Sequence, residues 1–241
     1  MEAISIQGLT KTYKDVTAVD ALTLDIHEGE LFALLGVNGA GKTTTIKMLS
    51  CLAHPTEGDA SLLGCSIISA PQAVKSVIAV SPQETAVAPN LSVRENLMLM
   101  AGAHGFSREK SRAKTAELLD AFGLGEVEKK RAKTLSGGWQ RRLSIAMALI
   151  SEPKILFLDE PTLGLDVLAR SELWDAIRAL KGRVTIVLTT HYMEEAQSLS
   201  DRVGVMKSGR LIALGTAAEL MTITGEQSFE AAFVKLVKEA R

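Results

Sequence analysis

Gly36-Val37-Asn38-Gly39-Ala40-Gly41-Lys42-Thr43 places three glycines, a lysine and a hydroxyl at the spacing that lets a backbone wrap a phosphate chain. Gly36, Gly39 and Gly41 permit backbone angles that other residues resist, so successive N–H groups can converge on phosphate oxygens. The cradle spans Gly36, Asn38, Gly39, Ala40, Gly41, Lys42, Thr43 and Thr44. Lys42 has the reach for β- and γ-phosphates, and the Thr43 hydroxyl is a ligand for Mg²⁺. The flanks carry the argument. Leu31-Phe32-Ala33-Leu34-Leu35 reads as a buried strand and Thr44-Thr45-Ile46-Lys47-Met48-Leu49 as a helix whose positive dipole end meets the same spot. A glycine-rich turn without a ligand is the bland alternative; strand, turn and helix in this order predict a nucleoside triphosphate site.

Two further groups of residues could complete such a site. Ile155-Leu156-Phe157-Leu158-Asp159-Glu160 is an apolar strand ending in two acids. Beside a phosphate loop, Asp159 suits Mg²⁺ and its water shell, and Glu160 suits a general base that polarises water for in-line attack on the γ-phosphate. Without that neighbour the pair would be an ordinary solvated turn. Leu135-Ser136-Gly137-Gly138 precedes a helical run, Arg141 to Ile150, so Ser136, Gly137 and Gly138 form a second helix start with exposed N–H groups and a hydroxyl. One phosphate bed already exists on the chain. The second anion site must face another nucleotide or another copy's nucleotide.

The elements that position these residues follow an αβ rhythm. Ile4 to Leu35 reads as strands and turns, with Thr23-Leu24-Asp25-Ile26 alternating. The helix after the phosphate loop is expected to end near Ala53, and Ser61-Leu62-Leu63 and Val77-Ile78-Ala79-Val80 read as short strands. From about Asn90 the pattern turns helical. Ser92-Val93-Arg94-Glu95 is a capping box, and a second helix runs from about Ser107 to Phe122, closed by Gly123. Then come a helix from Leu168 to Leu180 stopped by Gly182, the strand Val184–Leu188, a helix around Glu194–Leu199, the strand Val203–Met206 and a hairpin through Lys207-Ser208-Gly209-Arg210. A last helix, Phe229 to Lys238, lines up Phe229, Ala232, Phe233, Leu236 and Val237 for docking on the domain. The expected fold is α/β: a phosphate-loop NTPase core with a mixed, largely parallel sheet, an N-terminal antiparallel β subdomain and a helical subdomain. One domain spans 1–241, with the ATP-binding core and β subdomain at 1–89 and 150–225, the helical subdomain at 90–149 and the C-terminal helix at 226–241.

Composition narrows the partners. The 241 residues carry a net charge of −1, which gives no argument for nucleic acid. Mean hydropathy is +0.16, yet no apolar run reaches a membrane-spanning length of about 20 residues. No secretory signal is visible at Met1-Glu2-Ala3-Ile4. Cys51 and Cys65 lack metal-site spacing and read as small buried apolar residues in a reducing compartment. Lys129-Lys130-Arg131-Ala132-Lys133 is the one basic cluster and has no interleaved aromatics.

With these motifs in order along nearly the whole length, the chain resembles the ATP-binding subunit of an ABC transporter, whose signature begins Leu-Ser-Gly-Gly. The resemblance implies further roles. Tyr13 matches the aromatic that stacks on adenine. Gln83, in Ser81-Pro82-Gln83, matches the glutamine that senses Mg²⁺ and γ-phosphate. Asp166, in Leu163-Gly164-Leu165-Asp166, matches the loop aspartate that crosses the dimer interface, and His191 the switch histidine at the γ-phosphate. Three residues depart from the family pattern: Trp139 replaces a common glutamine, Leu163 a small polar residue and Val37 a frequent proline.

The resemblance also implies a mechanism. Two copies, or this chain and a homologous ATPase subunit, pair head to tail, each Mg²⁺-ATP capped by the other's Ser136 and Gly138. The work goes to an integral membrane subunit, which puts this chain in the cytoplasm, peripheral on the inner face of the membrane. Thr190-His191-Tyr192-Met193-Glu194-Glu195-Ala196 and Ser228-Phe229-Glu230-Ala231-Ala232-Phe233 look like the exporter branch that moves drugs, lipids and other small molecules. The rival class is an ABC-type ATPase with a soluble partner, in cluster assembly or on nucleic acid or ribosomes. The coiled coils or tandem ATPase domains typical of the nucleic-acid and translation members are not seen in this sequence.

Overall fold

The computed structural model describes residues 1–240. Strand β1 (Glu2–Tyr13) folds back on β2 (Val16–His27), in which Leu22, Leu24 and Ile26 are buried between exposed neighbours. This is the period-2 pattern of a sheet with one wet face. With β4 (Glu57–Leu62) and the short β5 (Cys65–Ser66) they form an antiparallel sheet in the order β2-β1-β4-β5.

The second sheet has six strands: β10 (Arg210–Gly215), β9 (Arg202–Lys207), β3 (Leu31–Leu35), β8 (Thr185–Thr190), β7 (Ile155–Asp159) and β6 (Ile78–Ser81), in that spatial order. All neighbours run parallel except β10, which pairs antiparallel with β9 through a turn at Ser208 and Gly209, both at positive φ. β3 is buried along its whole length, and its alternation divides two cores. Leu31, Ala33 and Leu35 join Leu156, Leu158, Ile186 and Leu188 in the core shared with the helices. Phe32 and Leu34 join Phe157 and Val187 in the core shared with the antiparallel sheet and α1 (Lys42–Leu49).

Helices α2 (Pro71–Val77), α3 (Val93–Ala103), α4 (Arg108–Ala121), α5 (Gly137–Leu149), α6 (Val167–Arg178), α7 (Met193–Leu199), α8 (Ala217–Thr224) and α9 (Phe229–Glu239) complete the chain. The capping box at Ser92 is present in both directions: Ser92 Oγ accepts from Glu95 N at 3.2 Å, and Glu95 Oε2 accepts from Ser92 N at 2.7 Å. α4 is capped by Ser107 and followed by Gly123 in the left-handed region, as its sequence implies. Buried side chains of α3, α4 and α5 belong to the same core as the parallel strands. On α9, Phe229, Ala232 and Phe233 are buried, and Lys207 Nζ caps its end through Val237 O at 2.8 Å and Ala240 O.

Several boundaries differ from the sequence reading. α1 stops at Leu49, short of Ala53, because Cys51 turns left-handed and the N–H groups of Leu52 and Ala53 both return to Lys47 O. Val77 closes α2, which opens on Pro71, so the strand begins only at Ile78. α5, by contrast, opens at Gly137 behind Ser136 at its N-cap, in keeping with the reading of Ser136 to Gly138 as a helix start. α8 is an additional helix whose Thr216–Glu219 capping box was legible as Thr-x-x-Glu before an apolar stretch. Cys51 and Cys65 are free thiols, half-buried against the core shared with the antiparallel sheet, so the expectation of buried residues holds only in part.

Candidate functional site

The phosphate loop joins β3 to α1, and its glycines are required for different reasons. Gly39 and Gly41 take φ of 81° and 104°, the left-handed region. Gly36 does not; a Cβ there would stand 2.6 Å from Met206 O and 2.9 Å from Ala40 Cβ. Close approach of β9, rather than a special backbone angle, dictates that glycine. Lys42 is 5% exposed and folds back over the loop, donating to Gly36 O at 2.7 Å and Val37 O at 3.2 Å. Its ammonium stands 3.4 Å from Glu160 Oε1, so a buried charge has a buried counter-charge.

The two acids sit at the end of β7, one strand away from β3 across β8. Asp159 Oδ1 accepts from Thr43 Oγ1 at 3.1 Å and from Thr189 Oγ1 at 2.5 Å. Glu160 N donates to Thr189 O and Thr189 Oγ1, each at 3.1 Å. These bonds hold Glu160 at φ 47°, a left-handed conformation that costs a non-glycine residue roughly 1–2 kcal/mol. Glu160 Oε2 lies 3.1 Å from His191 Nδ1. A cleft of about 470 Å³ is lined by Asn38 through Thr44 with Gln83, Glu160, Leu163 and His191, and Ala18 borders it from β2. A larger hollow of about 560 Å³ runs along α9 among exposed Glu and Lys side chains, without the buried, convergent polar groups of this cleft.

Backbone N–H groups, an ammonium, a hydroxyl, a carboxylate and an imidazole thus converge on one cavity, with a second carboxylate behind the hydroxyl, an arrangement suited to a polyphosphate and its hydrolysis. The ABC transporter family model matches residues 19–163. The chain belongs to the ABC transporter family. It is 44% identical over 224 residues to the daunorubicin/doxorubicin resistance ATP-binding protein DrrA of Streptomyces peucetius, covering 92% of this chain and 68% of that one. It is 42% identical over 219 residues to the Nod factor export ATP-binding protein I of Burkholderia orbicola (strain AU 1054), covering 90% and 72%. Among solved structures, an ATP-binding cassette described as a dimer in a post-hydrolysis state bound to ADP and Pi superposes with a TM-score of 0.79 at 27% identity, over 88% of this chain and 98% of that one. As a member of the ABC family, the chain binds ATP.

Not every residue expected at the ATP site lies in the cleft. Gly36 and Asp159 stand directly behind the lining, bonded to Lys42 and Thr43. Tyr13, at the end of β1, is 46% exposed, lies outside the lining, and has Lys11 Nζ 5.0 Å above its ring. Ser136, Gly137 and Gly138 start α5 elsewhere, Ser136 without a side-chain capping bond. Gly138 has an in-chain reason to be glycine, since a Cβ would meet Ala169 Cβ at 2.9 Å. Asp166 caps α6 by accepting from Ala169 N at 2.9 Å. The Lys129–Lys133 run is solvent-exposed except at Ala132, on the turn that leads into α5. Trp139 packs against the helical core with Arg142 4.7 Å above its ring, which accounts for an aromatic at that position.

The structure adds two residues. Thr189 fixes both acids at once; the available signal was the pair Thr189-Thr190 closing a fully buried strand. Glu195 on α7 is fully buried beneath the His191 loop and accepts from Trp174 Nε1 at 3.1 Å. Burial pushes its pKa above the ordinary carboxylate value, opposed by the nearby hydroxyls of Thr190 and Thr162, the hydrogen bond from Trp174 and the charge of Arg170. A raised folded-state pKa means the native chain holds a proton that the unfolded chain releases. Stability is therefore greatest below the unfolded carboxylate pKa and falls as pH climbs from there towards the folded value. Glu195→Gln, which is neutral at every pH, should raise the melting temperature progressively more as pH rises from 5 to 8. A pH-independent difference in melting temperature would show that Glu195 is not held protonated.

Proposed function

We propose that this chain hydrolyses Mg²⁺-ATP in a head-to-tail dimer and that the closing and opening of that dimer drives export through an integral membrane subunit. The observation that carries the reading is the convergence of Lys42, Thr43, Glu160 and His191 on one cleft, with Asp159 bonded to Thr43 directly behind it. Gly36 to Thr44 bind the phosphates through backbone N–H groups, and Lys42 reaches the β- and γ-phosphates. Thr43 and Asp159, with Gln83 at the cleft edge, are hard oxygen donors fit for Mg²⁺, which would neutralise phosphate charge. Glu160 accepts the proton of the attacking water, and His191 orients Glu160 and meets the γ-phosphate. Tyr13 offers an exposed ring for adenine. Ser136, Gly137 and Gly138 cap the partner's ATP, and Asp166 sits beside them on α6 at the dimer face.

Names of the relatives, drug resistance and Nod factor export, support export as the direction and a small molecule as the cargo. Among the described residues no helix is long and apolar enough to cross a membrane, so the cargo path would lie outside them. The chain's own place would be the cytoplasmic face of that membrane. The test mixes two damaged chains. Lys42→Ala spoils the chain's own phosphate bed, and Ser136→Arg spoils the cap it offers its partner. Each pure variant should lose ATPase activity, and the mixture should recover part of it, because mixed dimers contain one composite site with both parts intact. Full activity of pure Ser136→Arg would count against shared sites.

A further inference from the structure

α5 opens at Gly137 behind its N-cap Ser136, and its first turns also face the loop that leaves β6. Arg141 on α5 is 4% exposed, and its guanidinium spends its hydrogen bonds on backbone carbonyls rather than on a carboxylate. Nη1 donates to Pro82 O at 2.6 Å and Nη2 to Gln83 O at 2.5 Å. Three residues further along the same helix, Ser144 Oγ shares a buried hydrogen bond of 3.2 Å with Ser81 Oγ. The segment 81–83 is therefore fastened to α5 at three consecutive residues. Pro82 adds stiffness because its φ is fixed. The Gln83 side chain itself is exposed and lines the ATP cleft.

We propose that Arg141 is a positioning residue: by holding the carbonyls of Pro82 and Gln83 to α5 it fixes where the Gln83 side chain stands in this chain's cleft. A guanidinium is suited to this work. Its planar fork holds two carbonyls in fixed relation, whereas an ammonium on a flexible stem holds one at a time. Burying that charge is costly, and desolvation pushes its pKa below the ordinary guanidinium value. Arg170, by contrast, lies over the ring of Tyr192, so the two arginines bind different parts of the site. The inference rests on the ATPase reading above: it assigns Arg141 an effect that passes through Gln83 rather than through contact with nucleotide.

A double-mutant cycle tests it, with parent, Gln83→Ala, Arg141→Lys and the double variant assayed for kcat and for KM of ATP. Gln83→Ala and Arg141→Lys should each lower kcat on the order of tenfold, since small misplacements of a catalytic group carry penalties of that size or more. The double variant should fall less than about twofold below Arg141→Lys, because the two share one effect. Arg141→Met, similar in length and suited to burial, repeats the cycle should the lysine variant fold poorly. Arg142→Lys, on the same helix but paired with Glu172 rather than with segment 81–83, is the control for merely loosening α5: its effect should multiply with that of Gln83→Ala. Multiplying effects of Arg141 and Gln83 in a folded protein would overturn the proposal. A parent chain without ATPase activity would instead overturn the ATPase reading, so the two failures are distinct.

Discussion

Glu160→Gln is expected to keep ATP bound while turnover falls about 10²–10⁴-fold, the range for loss of a positioned general base. The amide keeps the shape of the carboxylate, and its oxygen still accepts from Lys42 and its neighbours. It cannot take a proton from water. Substitution also removes a negative charge that lies 3.4 Å from the lysine that would meet the γ-phosphate, so ATP affinity should hold or rise. If hydrolysis is what releases the dimer, Glu160→Gln should accumulate as an ATP-dependent dimer, measurable by sedimentation with and without nucleotide. Turnover at the parent rate would remove Glu160 from the base role, and the His191 contact would then need another purpose.

Lys42→Ala is expected to lose ATP binding by about 100-fold or more. The ammonium is the one formal positive charge among the cleft-lining residues, and charge-assisted bonds to phosphate contribute roughly 1.5–3 kcal/mol each. The same substitution leaves Glu160, 8% exposed, without its cation, which sets an unpaired negative charge against the incoming phosphates. A nucleotide titration reads the affinity directly. A thermal melt gives the independent check. Ligand present at 100 times its dissociation constant stabilises by about 2.7 kcal/mol, and a 100-fold loss of affinity in Lys42→Ala should cut that to about 0.4 kcal/mol, shrinking the ATP-induced rise in melting temperature accordingly. An undiminished ATP shift would show that backbone N–H groups alone hold the triphosphate and that Lys42 acts in the transition state only.

Much of the site was legible because its chemistry is local in sequence. A cradle of successive N–H groups must come from successive residues, so Gly36 to Thr44 stand together. Glu160 follows Asp159 because both crown one strand. Helix ends were legible where side chains signal them, as at Ser92, Ser107 and Gly123. One was missed because its signal was overlooked, the Thr216 capping box of α8. Even inside the phosphate loop one reason was misread: Gly36 answers to the carbonyl of Met206, 170 residues later in the chain and brought there by β9.

The order of residues by itself determined the phosphate cradle, the paired acids, the αβ alternation and the family, because each depends on spacing along one segment. Folding decided the rest. Only the strand order β9-β3-β8-β7 brings Thr189 between the phosphate loop and the acids, sets His191 against Glu160, and carries Arg141 to the carbonyls of Pro82 and Gln83. Those contacts join residues 30 to 60 positions apart, and hydrogen bonds reach about 3 Å, so no local pattern can announce them.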